Sequence, residues 1–213
     1  MAHLKSENRT HCIRCGTCCR KGGPALHKED KKIILERHIG YHHLITIRKG
    51  EPAFTPLRNK PETVSHELVK VAGKGKTRTC IFYDRKQASC AIYKHRPLEC
   101  RLLKCWDTSE ILSVIGQDSI TRADIINPAD PILKLIETHE KECPVQMAED
   151  LISALMNKND NSRSLAKLTA LVQEDLAIRS KAVSEFGLSL AVELFYFGRP
   201  LFKILSAQGF HFF

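Results

Sequence analysis

Nine cysteines constrain this chain more than any other feature, because eight of them fall in its first 105 residues. Cys12, Cys15, Cys18 and Cys19 crowd into the stretch HCIRCGTCCRKGG. Cys80, Cys90, Cys100 and Cys105 follow, and Cys143 stands apart. Thiols this dense can serve as disulfide staples, as a reactive pair, or as ligands for a metal ion or cluster. Disulfides are the minor reading: an odd count leaves one cysteine over, and a chain of 213 residues can bury a core without staples. The leading residues MAHLKSENRTHC are polar, without the apolar run of a secretory signal. No stretch approaches the roughly 20 apolar residues of a membrane span. A cytoplasmic location is therefore expected, where disulfides rarely persist.

Spacing narrows the choice to metal. Two residues between cysteines let the chain turn back and aim two sulfurs at one centre, while N–H groups in the turn point at them. Zinc knuckles use one C-x2-C pair, and ferredoxin-type loops use a C-x2-C-x2-C run. Cys12, Cys15 and Cys18 fit the second pattern, which tilts the reading from zinc toward iron–sulfur. Four early and four later cysteines suffice for two tetrathiolate centres, each matching zinc or a 4Fe–4S cubane. Adjacent side chains usually diverge, so Cys18 and Cys19 are expected to serve different centres or different irons. Cys143 is then the spare, read as a buried apolar thiol, although a remote Cys-Pro ligates the cluster in some ferredoxins. His11 and His95 compete as zinc ligands, being next to Cys12 and between Cys90 and Cys100.

Charge supports the same assignment. Residues 1–105 hold 23 Lys/Arg against 9 Asp/Glu, a net of +14, and residues 106–213 hold 10 against 15, a net of −5. A half so basic suggests nucleic acid. Eight metal-bound thiolates would offset much of it, so Arg14, Arg20 and Lys21 read first as their counter-charges. The remainder can still draw an anionic partner.

The fold class expected is α+β and helix-rich: a small, irregular Cys-rich half with short strands (residues 1–106), packed on a helical half (107–213). HLITI (43–47) and ELVKV (67–71) read as strands, and CIFYDRKQASCAIY (80–93) as a hairpin. HKEDKKIILERHIG reads as a helix stopped by Gly40, and Pro97 opens one through LECRLLKC. Further helices are expected over SEILSVIG, capped by Asp107, over PADPILKLIETHEKE with Pro128 or Pro131 near its start, over VQMAEDLISALMNK, and from the Asp160–Ser162 region to Phe186. Leu165, Leu168, Val172, Leu176 and Val183 mark the core stripe of the last. No Gly/Ser/Pro linker divides the halves near residue 106, so one integrated fold is expected. Residues 186–213 hold eight of the fourteen aromatic residues. They read as a final helix pair completing the core, or as a self-association surface if Phe210, Phe212 and Phe213 are exposed together.

CIRCGTCC (12–19), CIFYD (80–84), CAIYKHRPLECR (90–101) and Cys105 resemble the YkgJ-type zinc- or iron-chelating cysteine-cluster family. Eight cysteines are in register, with Gly16, Ile92, Tyr93, Arg96, Pro97 and Arg101. Leu103-Lys104 departs from the Phe-Pro that this family often carries before its last cysteine. The resemblance covers residues 12–105 and implies metal chelation, and many members bear the label of iron–sulfur oxidoreductase. A similar domain occurs in flagellin lysine methylases, but this chain has no G-x-G nucleotide loop after a strand. Arg96 and Arg101 are placed to donate to thiolates or to bind an anion. The reading is thus a metal-binding protein carrying iron–sulfur or zinc, possessing redox activity toward a substrate the sequence does not specify. The alternative is a structural zinc interaction module, or a metallochaperone or sensor.

Overall fold

The computed structural model describes residues 10–55, 60–75, 77–157 and 161–210. The chain runs α1 (Thr17–Lys21), α2 (Lys31–Leu35), β1 (Leu44–Ile47), β2 (Pro52–Thr55), β3 (Lys60–Thr63), β4 (Leu68–Val71), β5 (Tyr83–Asp84), β6 (Ser89–Cys90) and α3 (Leu98–Leu102). The helical part follows: α4 (Ser109–Val114), α5 (Arg122–Ile125), α6 (Ile132–Glu142), α7 (Val145–Met156), α8 (Asn161–Phe186), α9 (Glu193–Phe197) and α10 (Leu201–Ser206). The class is the expected helix-rich α+β, with short two-stranded sheets in the Cys-containing half and long helices after it.

β1 and β4 are the two β-branched runs, and they pair antiparallel with Leu44 opposite Val71 and Ile47 opposite Leu68. Alternation sends Val69 and Val71 into the core. Between them lies a hairpin the sequence conceals, β2 with β3. Pro52 and Pro61 argue against strands, yet both strands of an isolated pair are edges, where a missing N–H costs little. The 80–93 hairpin exists but is brief: Tyr83 pairs with Cys90 and Asp84 with Ser89.

α2 is shorter than its apolar pattern implies. Arg37, not Gly40, ends it, adopting a left-handed φ of 62°. Its N–H reaches Ile34 O and that of His38 reaches Ile33 O, which closes the helix end. The N-cap of α4 is Thr108 rather than Asp107, which lies one residue earlier and accepts from Ser109 N–H at 3.0 Å. Along α8 the buried line is Leu168, Leu171, Val172, Ile178 and Ala182, while Leu165 and Val183 are exposed. The same buried face carries Asp175 and Arg179.

One buried cluster joins both parts of the chain, from Leu26, Leu44 and Val69 to Phe195, Phe197 and Leu205. Each such side chain, fully buried, contributes about 1.5–3 kcal/mol. The aromatic tail supplies part of this core through α9 and α10, as its core-completing reading requires. Phe210 is half-buried, and Phe212 and Phe213 lie outside the described residues. Arginines bind the layers together. Arg48 donates from Nε to Glu140 at 3.0 Å and from Nη2 to Cys143 O at 2.5 Å. Arg122 reaches Glu67, Glu140 and the carbonyl of Tyr196. Asp175 accepts from His139 at 2.6 Å, Arg179 at 3.1 Å and Leu201 N–H at 3.0 Å.

Candidate metal centre

Three segments carry seven of the cysteines. The first is the loop and helix at 12–21. Gly16 precedes α1 with a φ of 71°, and Tyr83 of β5 lies over it so closely that a Cβ there would sit 2.0 Å from the phenol oxygen. Gly16 therefore serves twice, as a left-handed turn and as the seat for Tyr83. The second segment is Cys80 and the hairpin ending at Cys90. It is fastened to the first by the Cys80 N–H donating to Cys19 O at 2.8 Å. The third is α3, which presents Cys100. Asp30 fixes its start by accepting from Leu98 N–H at 2.8 Å, and Glu99 accepts from Ala25 N–H at 2.8 Å.

The sulfurs face directed amides. Arg14 N–H donates to Cys12 Sγ at 3.4 Å. The backbone amides of Phe82 and Ile92 favour the thiolates of Cys80 and Cys90. In each case the amide lies two residues after the sulfur. Arg14 reaches this position with a left-handed φ of 56°. An N–H aimed at sulfur favours the thiolate over the thiol.

Cys18 and Cys19 do not diverge: their sulfurs lie 3.9 Å apart. The short α1 carries both onto one side. Cys18 is pushed down to about 6, chiefly by the hydrogen bond from Cys19, and Cys19 is pushed up in return. Cys80, Cys90 and Cys100 are raised, chiefly by burial and further by the charge of neighbouring thiols. The mutual influences tie Cys18, Cys19, Cys80, Cys90 and Cys100 into one electrostatic group, with Cys12 acting on Cys90. Arg96 and Arg14 oppose the rise at Cys90 and stack on Tyr93, 3.9 and 4.3 Å from its ring centre. Lys74 acts likewise at Cys80.

The remaining candidates are placed as follows. Cys15 Sγ lies 3.4 Å from Thr17 Oγ1. Cys105 is exposed in a turn closed by Asp107 N–H to Lys104 O, so a turn forms there without the Phe-Pro pair. Arg101 pairs with Glu29. His11 is exposed beside Thr10, its Nδ1 3.3 Å from the hydroxyl. His95 stacks on His38 at 3.5 Å. Cys143 is fully buried at the end of α6, and its thiol faces Leu171 O at 3.9 Å. Burial, then Asp175, pushes it up to about 12, so it remains a protonated donor. The charged core around Arg48, Arg122, Asp175 and Arg179 escapes a hydropathy reading. Its signal is helical: Asp175 and Arg179 sit at i and i+4 in register with the apolar stripe.

A donor set of soft thiols, with amides and cations directed at them, defines a cysteine-cluster metal-binding protein. Residues 11–144 match the CxxCxxCC family, described as "Putative zinc- or iron-chelating domain", and the chain belongs to that family. The match extends beyond Cys105, through α4, α5 and α6. The chain is also similar to "Uncharacterized protein MJ0661" of Methanocaldococcus jannaschii, with 39% identity over 92 residues. That alignment covers 43% of this chain and 42% of the relative, so the chain spans less than half of the relative's length. No solved structure matches this chain. Among the described residues, no helix is long and apolar enough to cross a membrane.

Proposed function

We propose that Cys12, Cys15, Cys18, Cys19, Cys80, Cys90, Cys100 and Cys105 hold metal as thiolates, and that the protein carries a 4Fe–4S-type iron–sulfur centre with a redox role. The observation that carries this reading is the Arg14 N–H donating to Cys12 Sγ at 3.4 Å, together with backbone amides at the same i+2 offset that favour the thiolates of Cys80 and Cys90. A thiol held for packing gains little from an N–H donor, whereas a thiolate gains a charge-assisted hydrogen bond. Cys143 is the contrast within the same molecule, because its sulfur faces a carbonyl. The thiols also raise one another's affinity for protons. A cation among them reverses that, since metal binding requires the deprotonated form. The run Cys12, Cys15, Cys18 favours a cluster loop over a knuckle. Arg14 and Arg96 then tune the centre from beside Cys90.

Zinc is a second reading, favoured by one specific distance. With Zn–S bonds of about 2.3 Å, sulfurs at two corners of a tetrahedron lie about 3.8 Å apart. The Cys18–Cys19 separation of 3.9 Å suits that edge. In that reading the protein is a structural zinc module, a metallochaperone or a sensor. Anaerobic purification followed by iron, labile sulfide and zinc analysis separates the two. The iron–sulfur reading expects brown protein with matching iron and sulfide, bleached in Cys18→Ala. Colourless protein with stoichiometric zinc after anaerobic reconstitution would reject it.

The Cys-rich residues 1–106 and the helical residues 107–213 are further proposed to be one folding unit. The buried cluster common to both supports this.

A further inference from the structure

Glu36, His38 and His95 place one carboxylate and two imidazoles so that their ligand atoms all lie within 4.8 Å of one another. His38 Nε2 is 3.5 Å from Glu36 Oε2, and the two histidine rings stack with centroids 3.5 Å apart. We propose that these three side chains form a second metal site, independent of the cysteines, that takes a borderline divalent ion of the zinc type.

The backbone builds the site from two distant segments. α2 ends at Leu35, and the left-handed Arg37 turns the chain back, so that Glu36 and His38 meet across the bend. His95 arrives at the close of a 3-10 turn, Tyr93–His95, on the segment between Cys90 and Cys100. Two nitrogens and one oxygen are the ligand types that zinc accepts, and three protein ligands leave its fourth position to water. The set lacks the sulfur that copper(I) or an iron–sulfur cluster selects. His38 is half-buried and anchors the site, while Glu36 and His95 are exposed and leave it accessible. Ligation asks the rings to turn out of their stack about χ2, a broad and soft torsion. Lys32, 3.7 Å from Glu36, is an exposed competitor that a divalent ion displaces readily. A bound ion would tie the end of α2 to the chain carrying Cys90 and Cys100.

Zinc titration of the purified full chain, with its cysteine-bound metal in place, tests this. Calorimetry and metal analysis after desalting should show one additional zinc per chain and a higher melting temperature. His38→Ala and His95→Ala should each weaken that uptake by roughly tenfold or more, leaving cysteine-bound metal and the circular dichroism spectrum unchanged. Lys32→Ala should tighten it. Equal zinc uptake by the wild type and by His38→Ala/His95→Ala would overturn the proposal. Histidine-dependent uptake by a chain whose cysteines hold no metal would support this site while rejecting the cysteine reading.

Discussion

At the scale of single residues, two positions carry unusual weight. Gly16 has a left-handed φ and no room for a Cβ under Tyr83. Gly16→Ala is expected to lose about 1–2 kcal/mol for the backbone alone, with further loss from the Tyr83 clash, and to lower the metal content. Gly75 is the control, with a φ of 52° and open space around it. Gly75→Ala should cost only the backbone strain and leave metal content intact, as denaturant titration with metal analysis will show. Asp175 is the second position. It is fully buried among His139, Arg179 and the Leu201 N–H. Asp175→Ala leaves His139 Nε2 and the Leu201 N–H without their acceptor, while Arg179 keeps Glu193 and two carbonyls; each buried donor left unsatisfied costs about 1–3 kcal/mol. A thermal midpoint unchanged from wild type would contradict that role.

At the scale of elements, α6 and α8 meet through His139 and Asp175. Burial lowers the affinity of His139 for a proton below the ordinary 6.5. Burial works against Asp175, but His139 and Arg179 together hold it below its ordinary value. In both cases the unfolded chain binds more protons than the native one at acid pH. Their contribution is therefore complete above pH 6.5 and is lost as pH falls through the depressed values. Urea midpoints should drop between pH 7 and pH 5 in the wild type, and that drop should be shallower in His139→Gln. Elements like these show where sequence reading works. β1, β4, α6 and α7 were legible because apolar period and length agree. Arg37 hid the end of α2, since a non-glycine residue takes the left-handed conformation there, with local hydrogen bonds to Ile34 O and Ile33 O closing the helix. Pro52 and Pro61 hid β2 and β3. In α8 the apolar residues Leu165 and Val183 misplaced the stripe, because the buried face spends two positions on Asp175 and Arg179. Among the cysteines, spacing did not reveal that the Cys18 and Cys19 sulfurs converge, which follows from the local helix.

At the scale of the whole molecule, the C-terminal helices close the core against β1. Thr46 of β1 donates to Phe195 O at 2.5 Å, Arg122 holds Tyr196 O, and Arg199 pairs with the buried Glu51. A chain shortened before residue 189 would expose β1 and deprive the buried Glu51 of its Arg199 partner. It should lose its cooperative thermal transition by circular dichroism; an unchanged transition would mean that the core closes without α9 and α10. The central claim is that eight particular thiols hold metal while the ninth is packing. Mass spectrometry of thiol alkylation, before and after native-state chelation, tests it most directly. With metal bound, Cys12, Cys15, Cys18, Cys19, Cys80, Cys90, Cys100 and Cys105 should be protected, including the exposed Cys15, Cys18 and Cys105. Chelation should release all eight and leave Cys143 unmodified until the chain is unfolded. Free alkylation of Cys15, Cys18 and Cys105 in freshly purified, metal-replete protein would contradict the account.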